Sequence, residues 1–219
     1  MAIYFRIPEN IRSFEEITIP LNITHIDCSS RHFTSLKGCP DHITHLDCSS
    51  NQITSFEHLP NSIIKLYCHN NQITSFEHLP NSIIELYCSS NQITSFEYLP
   101  NSIIKLYCNH NQITSFEHLP NSITHLVCYD NQLTSFEQLP NSIQELDCSC
   151  NRITSFEHLP KFVIKLYCSA NNITSFDYLP NSIQKLDCYG TPCYSIYREL
   201  GLDKIHEYNI PEIKEPEYD

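Results

Sequence analysis

The chain has 219 residues, a formal net charge of -12, 13 Lys and Arg against 25 Asp and Glu, 12 cysteines and three glycines. Affinity for a phosphate backbone needs clustered cations, so this balance argues against nucleic acid, and three scattered glycines exclude a Gly-rich phosphate loop. No stretch approaches the ~20 apolar residues of a membrane span, and residues 1–20 lack the basic start and apolar run of a signal peptide, so the chain is expected to be cytoplasmic and not secreted.

Residues 1–22 carry Ile3, Phe5, Ile7, Ile11, Phe14, Ile17 and Ile19 and are expected to form an apolar N-terminal cap. From Ile23 to Cys188 a 20-residue unit then recurs almost without gaps, read most cleanly from Asn91 to Cys108 as NQITSFEYLPNSIIKLYC. Nine rungs begin at Ile23, Ile43, Ile63, Ile83, Ile103, Ile123, Ile143, Val163 and Ile183. Self-similarity at this period means a solenoid whose rungs bury their apolar faces only against one another. After Cys188 the pattern stops at Tyr189, Gly190, Thr191 and Pro192, and residues 189–210 are expected to cap the other end as two short helices broken at Gly201. The acidic, Pro-containing tail, residues 211–219, has the composition of a disordered segment.

Within one rung, Ile83, Leu86 and Cys88 must point inward, and the intervening Glu85 and Tyr87 outward, which is the period of a strand. One strand per rung stacks into a parallel sheet. Asn51, Asn71, Asn91, Asn111, Asn131, Asn151 and Asn171 follow their strands by the same interval and are expected to form a ladder, because an amide can both donate to and accept from backbone groups stranded at a turn. Thr94, Ser95, Phe96 and Glu97 have the composition of a Ser-capped single turn, and Pro100 biases Leu99 into an extended return. Twenty residues leave no room for a full convex helix.

The series I-x-x-L-x-C-x-x-N-x-I with a Leu-Pro return, seen at Ile83, Leu86, Cys88, Asn91, Ile93, Leu99 and Pro100, resembles the leucine-rich repeat. It is similar to the short form found in bacterial secreted effectors and, in its Asn-, Ile- and Tyr-rich composition with Cys where leucine is usual, to leucine-rich-repeat proteins of mimivirus. The resemblance covers most of the chain and implies an α/β-type solenoid, mostly β and extended: curved, right-handed, with a parallel concave sheet and short or no convex helices. It implies a protein partner, of the host if the chain is viral, and no cofactor. Arg31 departs from the pattern by standing where the other rungs have Asn.

Nine of the cysteines, Cys28 to Cys188 at 20-residue intervals, share one inward column and are expected to be reduced core residues, because parallel Cβ vectors do not converge on a disulfide. Cys39 stands at a Leu position, Cys193 lies in the cap, and Cys150 falls beside a strand end as the expected reactive thiol. The bacterial effectors often carry a separate ubiquitin-ligase domain with a Cys-x-Asp nucleophile; Cys128-Tyr129-Asp130 and Cys39-Pro40-Asp41 match those letters only inside repeat positions, and a buried thiol lacks the setting that makes a thiolate. No catalytic residue and no metal site are assigned. Cys148 with Cys150 and His42 with His45 are ligand types for zinc, but neighbouring columns of a stacked coil point along parallel lines. The acidic column Glu57, Glu77, Glu97, Glu117, Glu137, Glu157 and Asp177 is read as a solvated convex face.

The core columns and the Asn ladder barely vary among the copies, whereas the outward strand positions do. In the middle rungs these place Tyr67, Tyr87 and Tyr107 beside one another, flanked by Lys65, Glu85, Lys105, Val127 and Tyr129, and these eight residues form the expected protein-binding surface. Tyrosine is favoured at interface centres. The tyrosines are also β-formers that stack on their cross-strand neighbours, so a purely structural or virion-packaged solenoid is one competing reading, and a ubiquitin-pathway adaptor, implied by the resemblance to the bacterial effectors, is the other.

Overall fold

The computed structural model describes residues 3–208, for 203–208 the backbone alone. The tail expected at residues 211–219 and the last two residues of the expected C-terminal cap lie outside the described residues. The fold is a parallel β-solenoid with one ten-stranded sheet in sequence order: β1 (Tyr4–Arg6), β2 (His25–Asp27), β3 (His45–Asp47), β4 (Lys65–Tyr67), β5 (Glu85–Tyr87), β6 (Lys105–Tyr107), β7 (His125–Val127), β8 (Glu145–Asp147), β9 (Lys165–Tyr167) and β10 (Lys185–Asp187). The repeat period sets the register, so Lys65, Leu66 and Tyr67 stand opposite Glu85, Leu86 and Tyr87.

Each repeat strand is three residues long, its middle residue facing the core and its two neighbours facing out. Ile83, Leu86, Cys88, Ile93 and Phe96 are fully buried, and the same columns are filled in the rungs on either side. The phenyl rings stack along the axis, with Phe96 and Phe116 centroids 6.5 Å apart. At the N-terminal end Phe14, on a single 3-10 turn (Phe14–Glu16) capped by Ser13, meets Phe33 edge-on at 5.0 Å. β1 is an extra strand beyond the nine repeats. Its Phe5 pairs with Ile26, and its continuation buries Ile7 where a column cysteine would stand.

The Asn ladder joins rungs as well as closing turns. Asn71 Oδ1 accepts the N–H of Ile53 at 2.9 Å, while its Nδ2 donates to the carbonyls of Cys48 and Cys68 at 3.0 and 3.1 Å. Thus one amide satisfies main-chain groups of two consecutive rungs, and the same set recurs from Asn51 to Asn171. Arg31 takes the ladder position in the first rung and Thr191 that of the ninth; both are buried. Thr191 Oγ1 donates to the Cys188 carbonyl at 2.6 Å.

The expected Ser-capped turn is a β-turn rather than a helix: Leu99 N–H donates to Phe96 C=O at 3.1 Å, with Tyr98 in the left-handed region at φ 65°. Ser95 Oγ accepts the Glu97 N–H at 3.4 Å. A second left-handed residue precedes each ladder position, Ser90 before Asn91 and Cys150 before Asn151. Helix α1 (Tyr194–Tyr208) follows β10 and is broken at Gly201, whose φ of 74° and ψ of 169° are not helical. Tyr197 Oη donates to the Leu186 carbonyl at 3.3 Å, and its ring lies 6.4 Å from that of Phe176.

Candidate functional site

The outward strand residues form one continuous face along the sheet, and exact 20-residue register places like beside like. All eight residues expected to bind a partner are on it or at its margin, and all are partly buried. Three zones differ in chemistry.

In the middle zone the rings of Tyr67 and Tyr87 stack 4.4 Å apart, and those of Tyr87 and Tyr107 4.3 Å apart, nearly coplanar in orientation. That spacing is near the ~4.8 Å between parallel strands, so the backbone positions the rings for stacking. Glu85 is shared by Lys65 and Lys105, at 2.8 and 3.2 Å. Those hydrogen bonds hold its carboxyl below the usual carboxylate range, Lys65 contributing most. Lys65 Nζ also lies 5.2 Å from the centroids of both Tyr67 and Tyr87, and burial pushes the Tyr87 phenol up to about 12. Val127 continues the tyrosine row opposite Tyr107. Tyr129 sits one step beyond the strand and meets His110 edge-on at 5.1 Å rather than joining the stack.

Sequence reasoning overlooked a second row in the same rungs. Ile64, Ile84 and Ile104, immediately before β4, β5 and β6, are 39, 39 and 41% exposed, so three isoleucines align in successive rungs at the start of the strands whose far ends carry the tyrosines. The signal was present in the repeat: Ile stands there where Tyr occupies the strand end, whereas Thr24, Thr44 and Thr124 precede His25, His45 and His125.

In the N-terminal zone His25 and His45 stack at 3.9 Å and Tyr4 lies tilted against His25 at 4.5 Å, with Thr24 and Thr44 hydroxyls 2.8 and 3.0 Å from the imidazole Nδ1 atoms. Burial lowers the pKa of both histidines, and for His45 the His25 ring adds to it. Asp27 and Asp47 each accept from the next serine hydroxyl at 2.6 Å. In the C-terminal zone Lys165 pairs with Glu145 at 2.6 Å and Lys185 lies 5.0 Å over Tyr167.

The candidate nucleophiles are separated from this face. Cys128 is fully buried and its thiol is pushed well up by burial, and Cys39 is likewise driven up to about 12. Cys148 is buried and Cys150 exposed, so that pair diverges. His42 approaches the Pro20 carbonyl at 3.3 Å while His45 stacks on His25. Among the described residues no group of three or more His, Cys, Asp and Glu is placed to hold a metal ion, and no helix is long and apolar enough to cross a membrane.

A parallel solenoid with an Asn ladder, one short strand per rung and an outward variable face defines a leucine-rich-repeat fold. Residues 41–81 match the family described as Leucine Rich repeats (2 copies). Among solved structures the chain is similar to YopM from Yersinia enterocolitica WA-314, at 26% identity and TM-score 0.66, over 80% of this chain and 44% of that one. It is similar in fold to the functional domain of InlJ from Listeria monocytogenes, which includes a cysteine ladder, at 22% identity and TM-score 0.58, over 78% and 44%. An internalin, InlF, from Listeria monocytogenes matches at 18% identity and TM-score 0.58, over 76% and 61%. The chain therefore spans less than two thirds of each of these structures. No curated protein matches the sequence.

Proposed function

We propose that this protein is a non-enzymatic interaction module that binds another protein on the outward face of its sheet, centred on Tyr67, Tyr87 and Tyr107. The observation that carries this is the coincidence, in three consecutive rungs, of a stacked tyrosine row with an exposed isoleucine row, a concentration of apolar surface that the core does not use. Stacking satisfies the tyrosine faces; the backbones of Ile64, Ile84 and Ile104 hydrogen-bond from rung to rung, but about 40% of each residue stays exposed, apolar surface that the core does not bury. Rigid aromatic and aliphatic groups ringed by charged side chains match the composition of interface centres. The face, ~40 Å by ~15 Å, offers roughly 600 Å², near the ~800 Å² per partner of an ordinary interface. Lys65, Glu85, Lys105, Val127 and Tyr129 supply the rim.

On the resemblance of the repeat to leucine-rich-repeat proteins of mimivirus and of bacterial secreted effectors, we place the partner in a host cell and the protein in its cytoplasm. Ubiquitin transfer is disfavoured by the burial of Cys128 and Cys39. The test compares captured proteins from host lysate for the native chain, Tyr67/Tyr87/Tyr107→Ala, and Glu117→Ala on the opposite side. A partner retained by the native chain and by Glu117→Ala, lost with the triple change while the far-ultraviolet spectrum is unchanged, supports this reading. Retention by the triple variant, or loss with Glu117→Ala, overturns it.

A further inference from the structure

The two ends of the sheet are finished differently. At the C-terminal end α1 is held to β10 by the Tyr197 hydroxyl on the Leu186 carbonyl. At the N-terminal end β1 is the edge strand, and among the described residues no strand pairs with its outer side. The ladder to β2 uses half of its backbone. Ile3 C=O accepts from His25 N–H at 3.2 Å and Ile7 N–H donates to Asp27 C=O at 2.8 Å, and the register of Tyr4 with His25, Phe5 with Ile26 and Arg6 with Asp27 turns the N–H and C=O of Phe5 to the same side. The N–H and C=O groups of Tyr4 and Arg6 therefore point away from β2, where only another strand could take them all.

The side chains at this edge are also left open. Phe5 holds the place that Leu46 and Leu66 fill in later rungs; those are fully buried, whereas Phe5 is only partly buried, as are Ile11 and Ile17. Tyr4 is 76% exposed, and Arg6 reaches Asp27 at 3.4 Å with most of its side chain in solvent. A short strand carrying a charge ordinarily deters pairing. Here the outward residue two places before the arginine is a tyrosine, whose ring face attracts a guanidinium, and that makes the edge complementary to itself.

We propose that two copies of this chain pair through β1, antiparallel, across a two-fold axis at Phe5. In that register Tyr4 of each copy stands opposite Arg6 of the other, each such pair exchanges both main-chain hydrogen bonds, and all the free groups of the edge are used. On the outward face the guanidinium lies against the tyrosine ring. On the inward face the two Phe5 side chains meet as a non-hydrogen-bonded pair, the closer kind, and cover the open end of each core. Other registers fit worse. A shift one way sets Arg6 against Arg6 and Tyr4 against Pro8, which has no N–H; a shift the other way sets Tyr4 against Tyr4 and carries Arg6 past the end of the other strand. The tyrosine row on β4 to β6 takes no part in this contact.

The full chain, kept reduced so that the exposed Cys150 cannot cross-link copies, is followed by sedimentation equilibrium from low to high micromolar concentration, with amide hydrogen exchange at both extremes. The expected mass rises with concentration toward twice the 25.5 kDa of the chain. The amides of Tyr4 and Arg6 should exchange freely in dilute protein and slowly in concentrated protein, while that of Phe5, already bonded to β2, does not change. Tyr4→Pro removes an outward N–H and the ring but none of the bonds to β2, and should raise the dissociation constant roughly tenfold or more with the far-ultraviolet spectrum unchanged. Tyr67/Tyr87/Tyr107→Ala should associate as the native chain does, whatever that change does to binding on the concave face. A native chain that stays monomeric at high micromolar concentration, a dimer whose Tyr4 and Arg6 amides remain unprotected, a dimer undiminished by Tyr4→Pro, or association lost in the folded triple variant overturns the proposal.

Discussion

Arg31 Nε donates to the Ile7 carbonyl at 2.9 Å, tying the first repeat to the end of the extra strand. The same guanidinium reaches the carbonyls of Ser29 and Ser30 at 3.1 and 3.3 Å, so a charged side chain replaces Asn where there is no earlier repeat for an amide to join. Arg31→Ala strands the buried Ile7 carbonyl and should cost about 1–3 kcal/mol. The loss should be local. Hydrogen exchange at Ile7, whose N–H is bonded to Asp27, should accelerate while that of β8 and β9 does not change, because rungs couple to their neighbours only. Uniform acceleration along the chain would refute this assignment.

Asn91→Ala should be worse than Gln92→Ala. Asn91 donates to Cys68 and Cys88 carbonyls at 3.0 Å each and accepts from Ile73 N–H at 2.9 Å, so its loss leaves groups of two rungs unpaired, at about 1–3 kcal/mol each where water cannot enter. Gln92 is exposed, and its backbone bond to Ile73 survives substitution. Urea unfolding of the two variants measures the difference, and equal losses would contradict the ladder.

The repeated columns were legible in the sequence because each is sampled many times: a position that is Leu, Cys or Asn in copy after copy must face the same environment in each. Features sampled once were not. β1 carries Tyr4, Phe5 and Arg6 without the Leu, Cys or Asn of a rung, so its apolar character was readable but its strand pairing was not. The left-handed turn residues were hidden for a different reason. Tyr98 and Gln138 do not announce positive φ, and within their column Gly38, at φ 83° in the first rung, was the clearest hint, as Gly190 at φ 73° was for the second left-handed position. Of the candidate site, the tyrosine row was legible from the register, whereas the exposure of Ile64 depends on where the strand begins.

Tyr98→Gly should stabilise the protein. Tyr98 is 62% exposed and held at φ 65°, where a side chain costs about 1–2 kcal/mol. Glycine removes that cost but loses more freedom on folding, roughly 0.5–1 kcal/mol, leaving a net gain of up to about 1.5 kcal/mol. Glu97→Gly, one residue earlier and outside the left-handed region, should destabilise. Thermal unfolding of the two variants distinguishes the cases, and a lower melting temperature for Tyr98→Gly would contradict the turn geometry.

Acid should weaken the face in two stages. His25 and His45 are lowered by burial below their unfolded value of about 6.5. The unfolded chain therefore takes up these protons first, and stability declines as pH falls from that value toward the folded ones. Glu85 is lowered chiefly by its hydrogen bond with Lys65, so its contribution is present above the unfolded carboxylate value of about 4.3 and is lost as pH falls through the lower folded value. Unfolding midpoints measured from neutral to acid pH should thus drop in two windows. His25→Asn with His45→Asn should flatten the upper one alone, and Glu85→Gln should reduce the lower one alone; an unaltered upper window in the histidine variant would mean that other groups carry it.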